Sequence, residues 1–248
     1  MVRTVQFIDM RLRDVKGSIT IRPWWVLPLP VDGMWFFGTN LQNAKHGWNE
    51  PATAKFIKDT LKPGQTFVDI GANYGYYSVL AAKCGAKVIA YEPDETSFSR
   101  LNRNLKINGV TAQTNKAAVS DHEGTIDFYV FKKGAGTNST LESVQLAPAI
   151  KHTVRATKCT VAYDLCKIDV EGAELKALKG MSHHGLIICE LNPTAHERQG
   201  SNSQEYLNSI RALGWNVEDL EEGPQTDEYL IAKAKDNSVL NLLLKPQN

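Results

Sequence analysis

The 248-residue sequence contains no C-x-x-C pair. Its four cysteines, Cys84, Cys159, Cys166 and Cys189, stand at no spacing to histidine that would build a zinc site. They read as reduced core thiols rather than disulfides or nucleophiles. No apolar run approaches the roughly 18 residues a membrane helix needs. The N-terminal stretch lacks the charged, apolar and cleavage segments of a secretory leader, so a cytoplasmic location is expected. Leu240 to Leu244, interrupted by Asn241, reads as a docking tail. No charge of one sign dominates, because the net charge is +1. That excludes a surface generally coating nucleic acid, and nucleic acid is not expected as a partner. Internal repeats are absent as well.

The first 48 residues are a different texture from the rest. Trp24, Trp25, Trp35, Phe36, Phe37 and Trp48 lie among Pro23, Pro28, Pro30, Gly33 and Gly38, which predicts short strands and turns in an aromatic-rich β cap. Asn49 and Pro51 mark the start of a helix that stops at Lys62-Pro63-Gly64. Strands at 67–70 and 87–91 then alternate with helices at 75–83 and about 94–107. Further strands are expected near 111–119, at Gly124 to Phe131, Thr153 to Val161, Leu165 to Ile168 and Gly185 to Glu190. A helix near 203–213 precedes two strands, Trp215 to Leu220 and Tyr229 to Ala234, joined by a polar turn. The pattern predicts a Rossmann-like α/β domain over 49–235. Its seven-stranded sheet is mostly parallel and closes with a C-terminal antiparallel hairpin, leaving 236–248 as a tail.

The segment Phe67-Val68-Asp69-Ile70-Gly71-Ala72-Asn73-Tyr74-Gly75-Tyr76-Tyr77-Ser78 is a strand breaking into a glycine turn and then a helix. Glu92 ends the next strand, roughly 20 residues on, where a carboxylate can accept from ribose hydroxyls. What is missing is the middle glycine of a dinucleotide fingerprint, since position 73 is Asn. A pyrophosphate needs that glycine. S-adenosylmethionine has no phosphate and presents a carboxylate, an ammonium and a sulfonium. Asp69 can hold the ammonium, and amides opening helix 75–83 can hold the carboxylate. The glycines are expected where the backbone must pass close to the ligand.

These residues resemble the FkbM family of S-adenosylmethionine-dependent methyltransferases. The likeness extends through Pro63-Gly64, Glu92-Pro93, Asn102-Arg103-Asn104-Leu105, Ala117-Ala118-Val119-Ser120-Asp121-His122-Glu123-Gly124 and the most specific segment, Lys167-Ile168-Asp169-Val170-Glu171-Gly172-Ala173-Glu174. It covers residues 50 to 234. It implies a class I methyltransferase fold and a donor site at Asp69, Gly71, Asn73, Gly75, Tyr76, Glu92, Pro93, Ala118 and Asp169. It also implies a hydroxylated acceptor: a sugar, another glycan, a natural product or a different small molecule. One departure is that only Ala162 to Cys166 separate the extended segment ending at Val161 from Lys167, so a crossover helix is expected to be missing or replaced by an irregular link.

Ligands of open α/β sheets sit outside the carboxyl ends of the strands, where Asp69, Glu92, Asp169 and Glu190 all fall. Asp169 is the candidate base or positioning group at the transferred methyl, with Lys167 and Glu190 as further catalytic candidates. The competing reading for Asp169 and Glu171 is capping of the helix that follows. A divalent cation on Asp169, Glu190 and Asn192 is conceivable but not indicated. Glu190-Leu191-Asn192-Pro193 lacks the aromatic of an amine-methylating motif, which leaves hydroxyl acceptors ahead of N-methylation on peptide or RNA. A non-catalytic nucleoside-binding module is the alternative of a different class. Exposed aromatics of the cap and the sheet edges leave a homodimer open.

Overall fold

The computed structural model describes residues 28–37, 50–131, 149–182, 185–198, 200–237 and 239–247. It opens with a hairpin of β1 (Leu29–Val31) and β2 (Met34–Phe36) that turns at Asp32-Gly33. Then α1 (Pro51–Thr60), β3 (Thr66–Ile70), α2 (Tyr76–Lys83), β4 (Lys87–Tyr91), α3 (Glu95–Ile107) and β5 (Gln113–Asn115) alternate. Three strands follow, β6 (Ala118–Val119), β7 (Gly124–Phe131) and β8 (Ala149–Thr157). The chain continues through β9 (Leu165–Ile168), α4 (Glu174–Lys179), β10 (Leu186–Leu191), α5 (Pro193–Arg198), α6 (Ser203–Ala212), β11 (Trp215–Asp219), α7 (Asp227–Asn237) and β12 (Leu240–Pro246).

Seven strands form the main sheet in the order β11-β12-β10-β9-β3-β4-β5. The pairs β3–β4, β4–β5, β3–β9 and β9–β10 are parallel, whereas β12 runs antiparallel to both β10 and β11. The chain leaves β3 in one direction toward β5 and returns to β9 on its other side. The carboxyl ends of β3 and β9 therefore flank a topological switch point, where such sheets bind ligands.

Because side chains alternate along a strand, the sheet buries two faces. One carries Phe67, Val88, Ala90, Leu165 and Ile188 against α1, α2, α3 and the hairpin residues Val31, Met34 and Phe36. The other carries Val68, Ile70, Cys166, Ile187, Cys189 and Leu242 against Leu178, Leu207, Ile210 and Leu230 of α4, α6 and α7. All four cysteines are free; three are buried and Cys84 is half-buried. No helix among the described residues is long and apolar enough to cross a membrane.

Three expectations need correction. Tyr229 to Ala234 is part of helix α7, not a strand: Leu230 and Ala234, four apart, are its buried residues. The antiparallel partner of β11 is β12, so Leu240–Pro246 is an inner strand rather than a tail. Its apolar run is what burial on both faces demands. The cap of α1 is Glu50, and its side chain makes no capping bond; Asn49 lies outside the described residues. The link before β9 is irregular, as expected. Asp164 is bonded there to the start of β3, its backbone N–H donating to Thr66 O at 3.0 Å and its Oδ2 accepting from Thr66 N at 2.7 Å. Of the aromatic cap, Phe36 is buried and Trp35 is exposed; Trp24, Trp25 and Trp48 lie outside the described residues, as does His183-His184.

Candidate functional site

At the end of β3 the chain turns through Gly71, Ala72, Asn73, Tyr74 and Gly75. Gly71 has φ 81°, and a Cβ there would lie 1.9 Å from the Asp169 carbonyl oxygen. The glycine expected to let a ligand approach is thus required by the neighbouring backbone. Asp169 N–H donates to Ile70 O at 3.0 Å, and the amides of Gly71 and Ala72 both donate to Tyr91 O at 3.0 Å. The turn is stitched to β9 on one side and to β4 on the other. Gly75 is left-handed at the N-cap of α2, and Asn73, with φ 49°, is a residue that tolerates that region.

Asp69 and Glu92 stand at the ends of neighbouring strands, both buried. Asp69 Oδ2 accepts from Ser78 Oγ at 2.6 Å. Burial pushes its carboxyl up to about 6 against the pull of that bond. Glu92 is gripped by backbone: Oε2 accepts from Asn73 N–H and Oε1 from Asp94 N–H, each at 2.8 Å. Burial raises it to about 7. Each Glu92 oxygen keeps a second lone pair, so the pair of ribose hydroxyls and the ammonium of S-adenosylmethionine match acceptors already oriented by the turn. A bound donor supplies an electrophilic methyl on a sulfonium.

On β9, Lys167 Nζ donates to Asp169 Oδ2 at 2.7 Å. The lysine side chain is 3% exposed and the aspartate side chain 31%, so the cation is interior and the carboxylate reaches the crevice. Burial acts to lower the Lys167 pKa, but Asp169 and then Glu50 hold it above the ordinary lysine value. The carboxylate it pairs with is Asp169, not Glu190 or Glu171. The ammonium also lies 4.8 Å from the Tyr77 ring centroid.

Glu171, Glu174 and Glu190 complete an acidic rim. Burial drives all three upward first, with repulsion from Asp169 added; Glu171 rises to about 8 and Glu174 to about 7. Glu174, not Glu171, serves the turn before α4: its Oε1 accepts from Val170 N–H at 3.3 Å and Gly172 N–H at 2.9 Å. Glu171 has φ 54°. The Oε2 atoms of Glu174 and Glu190 are buried with no hydrogen-bond partner among the described residues. Asn192 Oδ1 accepts from Ala195 N–H at 3.0 Å and so caps α5. Among the described residues no group of three or more His, Cys, Asp and Glu is placed to hold a metal.

Tyr76 is placed differently from the expectation. Its ring packs on Phe36 and its hydroxyl on Asp32, so it seats the hairpin rather than facing the crevice. Ala118 is buried in β6, paired with Ala156. Pro93 follows Glu92 at the crevice edge, half-buried. Sequence reasoning missed Ser78 and Tyr77 as partners of Asp69 and Lys167, and it missed Glu50, whose Oε2 accepts from Tyr77 Oη at 2.8 Å. It also missed Asn104, whose side chain bonds Phe37 N–H at 2.7 Å, Phe37 O at 3.3 Å and Tyr74 O at 2.7 Å, tying hairpin to turn. The i, i+1 placement of Tyr77 after Tyr76 and of Ser78 nine residues after Asp69 carried no signal readable without the fold.

A sequence model of the methyltransferase FkbM domain matches residues 69–221, from Asp69 through the acidic rim. The chain belongs to the FkbM methyltransferase family. Among curated relatives, it is 34% identical over 101 residues to a ribosomal protein L11 methyltransferase of Helicobacter hepaticus, covering 38% of this chain and 30% of that protein. It is 30% identical over 156 residues to the methyltransferase sdnD of Sordaria araneosa, covering 46% of this chain and 59% of that one. The chain thus spans less than two thirds of each of these relatives. Among solved structures, a TehB-like SAM-dependent methyltransferase from Corynebacterium glutamicum aligns at TM-score 0.49 and 11% identity, covering 82% of this chain and 91% of that chain.

Proposed function

We propose that this FkbM-family protein transfers a methyl group from S-adenosylmethionine to a hydroxyl oxygen of a small-molecule or glycan acceptor. What carries the reading is the pairing of Asp69 and Glu92, two buried carboxylates gripped by the glycine turn and its helix. Asp69 takes the donor's ammonium and Glu92 its ribose hydroxyls. The Lys167–Asp169 pair, one strand away, faces the acceptor. Methyl transfer is an in-line displacement that depends on alignment and on removal of the acceptor proton. Lys167 holds Asp169 Oδ2, and Oδ1 is left to receive that proton as the new O–C bond forms and the S–C bond breaks. The products are the methyl ether and S-adenosylhomocysteine.

The buried, unpartnered Oε2 atoms of Glu174 and Glu190 support a second reading, an amine acceptor whose N–H groups would donate to them. The names of several curated relatives, ribosomal protein L11 methyltransferases, favour the same reading. One experiment separates the two: incubation with methyl-labelled S-adenosylmethionine and a panel of polyols, glycans, phenols, amines and basic peptides. Label in hydroxylated acceptors, abolished by Asp169→Asn while donor binding persists, supports O-methylation. Label confined to amines and peptides overturns it.

A further inference from the structure

We propose that Glu50, ahead of α1 and outside the family match, is a positioning residue that fixes the Lys167–Asp169 pair through the ring of Tyr77. The inference rests on the methyl-transfer reading only for what that pair is used for.

Glu50 is the residue before α1, at the N-cap position, where a short polar side chain would bond the first amides of the helix. It does not do so here: no side-chain cap bond is made. Its carboxylate reaches away from its own helix to two distant elements. Oε2 accepts from Tyr77 Oη at 2.8 Å, in the first turn of α2, and from Asn241 Nδ2 at 3.4 Å, in the inner strand β12. Asn241 is the register partner of Glu190 across β10–β12. One carboxylate therefore joins the helix behind the glycine turn to the strand beside the acidic rim.

The consequence falls on Lys167. A buried ammonium needs compensation on every side. Asp169 supplies a hydrogen bond at 2.7 Å and the Tyr77 ring supplies a π face at 4.8 Å. That ring is buried and meets Tyr76 edge-on at 5.1 Å, and its hydroxyl donates to Glu50, so the Glu50 carboxylate is one of the contacts that set where the ring lies. Glu50 also acts on the ammonium by charge, second only to Asp169 among the groups that keep Lys167 protonated. Lys167 in turn has Asp169 as its hydrogen-bonded acceptor, so freedom in the lysine becomes freedom in the carboxylate at the crevice. The chain of contacts runs Asn241, Glu50, Tyr77, Lys167, Asp169.

The test reads the Lys167 ammonium directly and needs no acceptor. Full-length protein labelled with 15N-lysine is examined for a slowly exchanging ammonium resonance, assigned to Lys167 by its loss in Lys167→Met. Glu50→Gln keeps an acceptor for Tyr77 but removes the charge. It is expected to shift that resonance and speed its proton exchange by about tenfold or more, the scale of a weakened hydrogen bond to a charged group. Tyr77→Phe keeps the ring and drops the hydroxyl; it is expected to move the resonance in the same direction by less, and it carries the test should the Glu50 variant fail to fold. A Lys167 resonance unchanged in shift and exchange in either folded variant, even with a lowered melting temperature, makes Glu50 a structural anchor only and overturns the inference. Calorimetry with S-adenosylhomocysteine is the separate arm. Wild-type protein that fails to bind it while Glu50→Gln still moves the Lys167 resonance refutes the donor reading and leaves the positioning inference standing.

Discussion

Substituting Gly71 by alanine isolates what holds the donor turn against the sheet. Two effects add. The backbone sits at φ 81°, and placing a Cβ in the left-handed region costs about 1–2 kcal/mol. The new Cβ would also stand 1.9 Å from the Asp169 carbonyl oxygen and 2.9 Å from its carbon. Neither atom belongs to a side chain that can rotate, so β9 and the turn must separate, an overpacking cost of about 1–3 kcal/mol. The sum, about 2–5 kcal/mol, is a large part of a typical domain's stability of about 5–15 kcal/mol. Gly64→Ala is the control: its φ is 88°, yet nothing lies within 4 Å of the Cβ position, so it carries the backbone strain alone. Urea unfolding of both variants should show Gly71→Ala less stable than Gly64→Ala by about 1–3 kcal/mol. Equal losses in the two would refute the claim that the turn is closed against Asp169.

Other outcomes follow from the same contacts. Asp169→Ala leaves the buried Lys167 ammonium without its hydrogen-bond partner and should destabilise by about 3 kcal/mol, much of it recovered in the double variant with Lys167→Met; denaturant midpoints of the single and double variants check this. Asn104→Ala removes three bonds between α3, the hairpin and Tyr74 and should lower stability by about 1–3 kcal/mol, with faster proteolysis within residues 28–37 as the local readout. The pH dependence has two opposite signs. Asp69 at about 6, Glu92 and Glu174 at about 7 and Glu171 at about 8 are raised in the fold, so the stability they contribute is present at low pH and lost as pH rises through those values. His196, lowered to about 4 by burial, acts the other way, but above about pH 6.5 it is neutral both folded and unfolded. Melting temperatures of the ligand-free protein should therefore fall between about pH 6.5 and pH 8.5. Affinity for S-adenosylhomocysteine, which needs Asp69 and Glu92 ionised, should rise from about pH 6 to pH 8. Parallel trends in the two measurements would contradict the assignment of these carboxylates.

The turn from Asp69 to Ser78 and the acidic end of β4 were legible because they are local: strand, glycine turn and helix follow one another in the chain, and their spacing is the site. Lys167 and Asp169 were legible for the same reason, though not their bond to each other. Tyr229 to Ala234 misled because a short apolar run fits period two and period 3.6 alike; Asp227 and Glu228 in the first turn and the Leu230–Ala234 spacing favoured the helix. Leu240–Pro246 reads as a tail, yet a strand enclosed by β10 and β11 must be largely apolar on both faces, and the polar break in its Leu240–Leu244 run, Asn241, sits where Glu50 and Glu190 meet it. Glu50 could not be found from sequence, since its partner Asn241 lies 191 positions away. Gly71 was assigned to the ligand, whereas the atom it makes room for belongs to Asp169, nearly a hundred residues on.

The central claim is the donor site, and calorimetric titration of the protein with S-adenosylhomocysteine, with Glu92→Ala alongside and NAD as the control ligand, tests it most directly. The account predicts micromolar binding that Glu92→Ala weakens by about 1–3 kcal/mol, with no binding of NAD. Folded wild-type protein that binds neither S-adenosylhomocysteine nor S-adenosylmethionine, or that binds with the same affinity after Glu92→Ala, contradicts it.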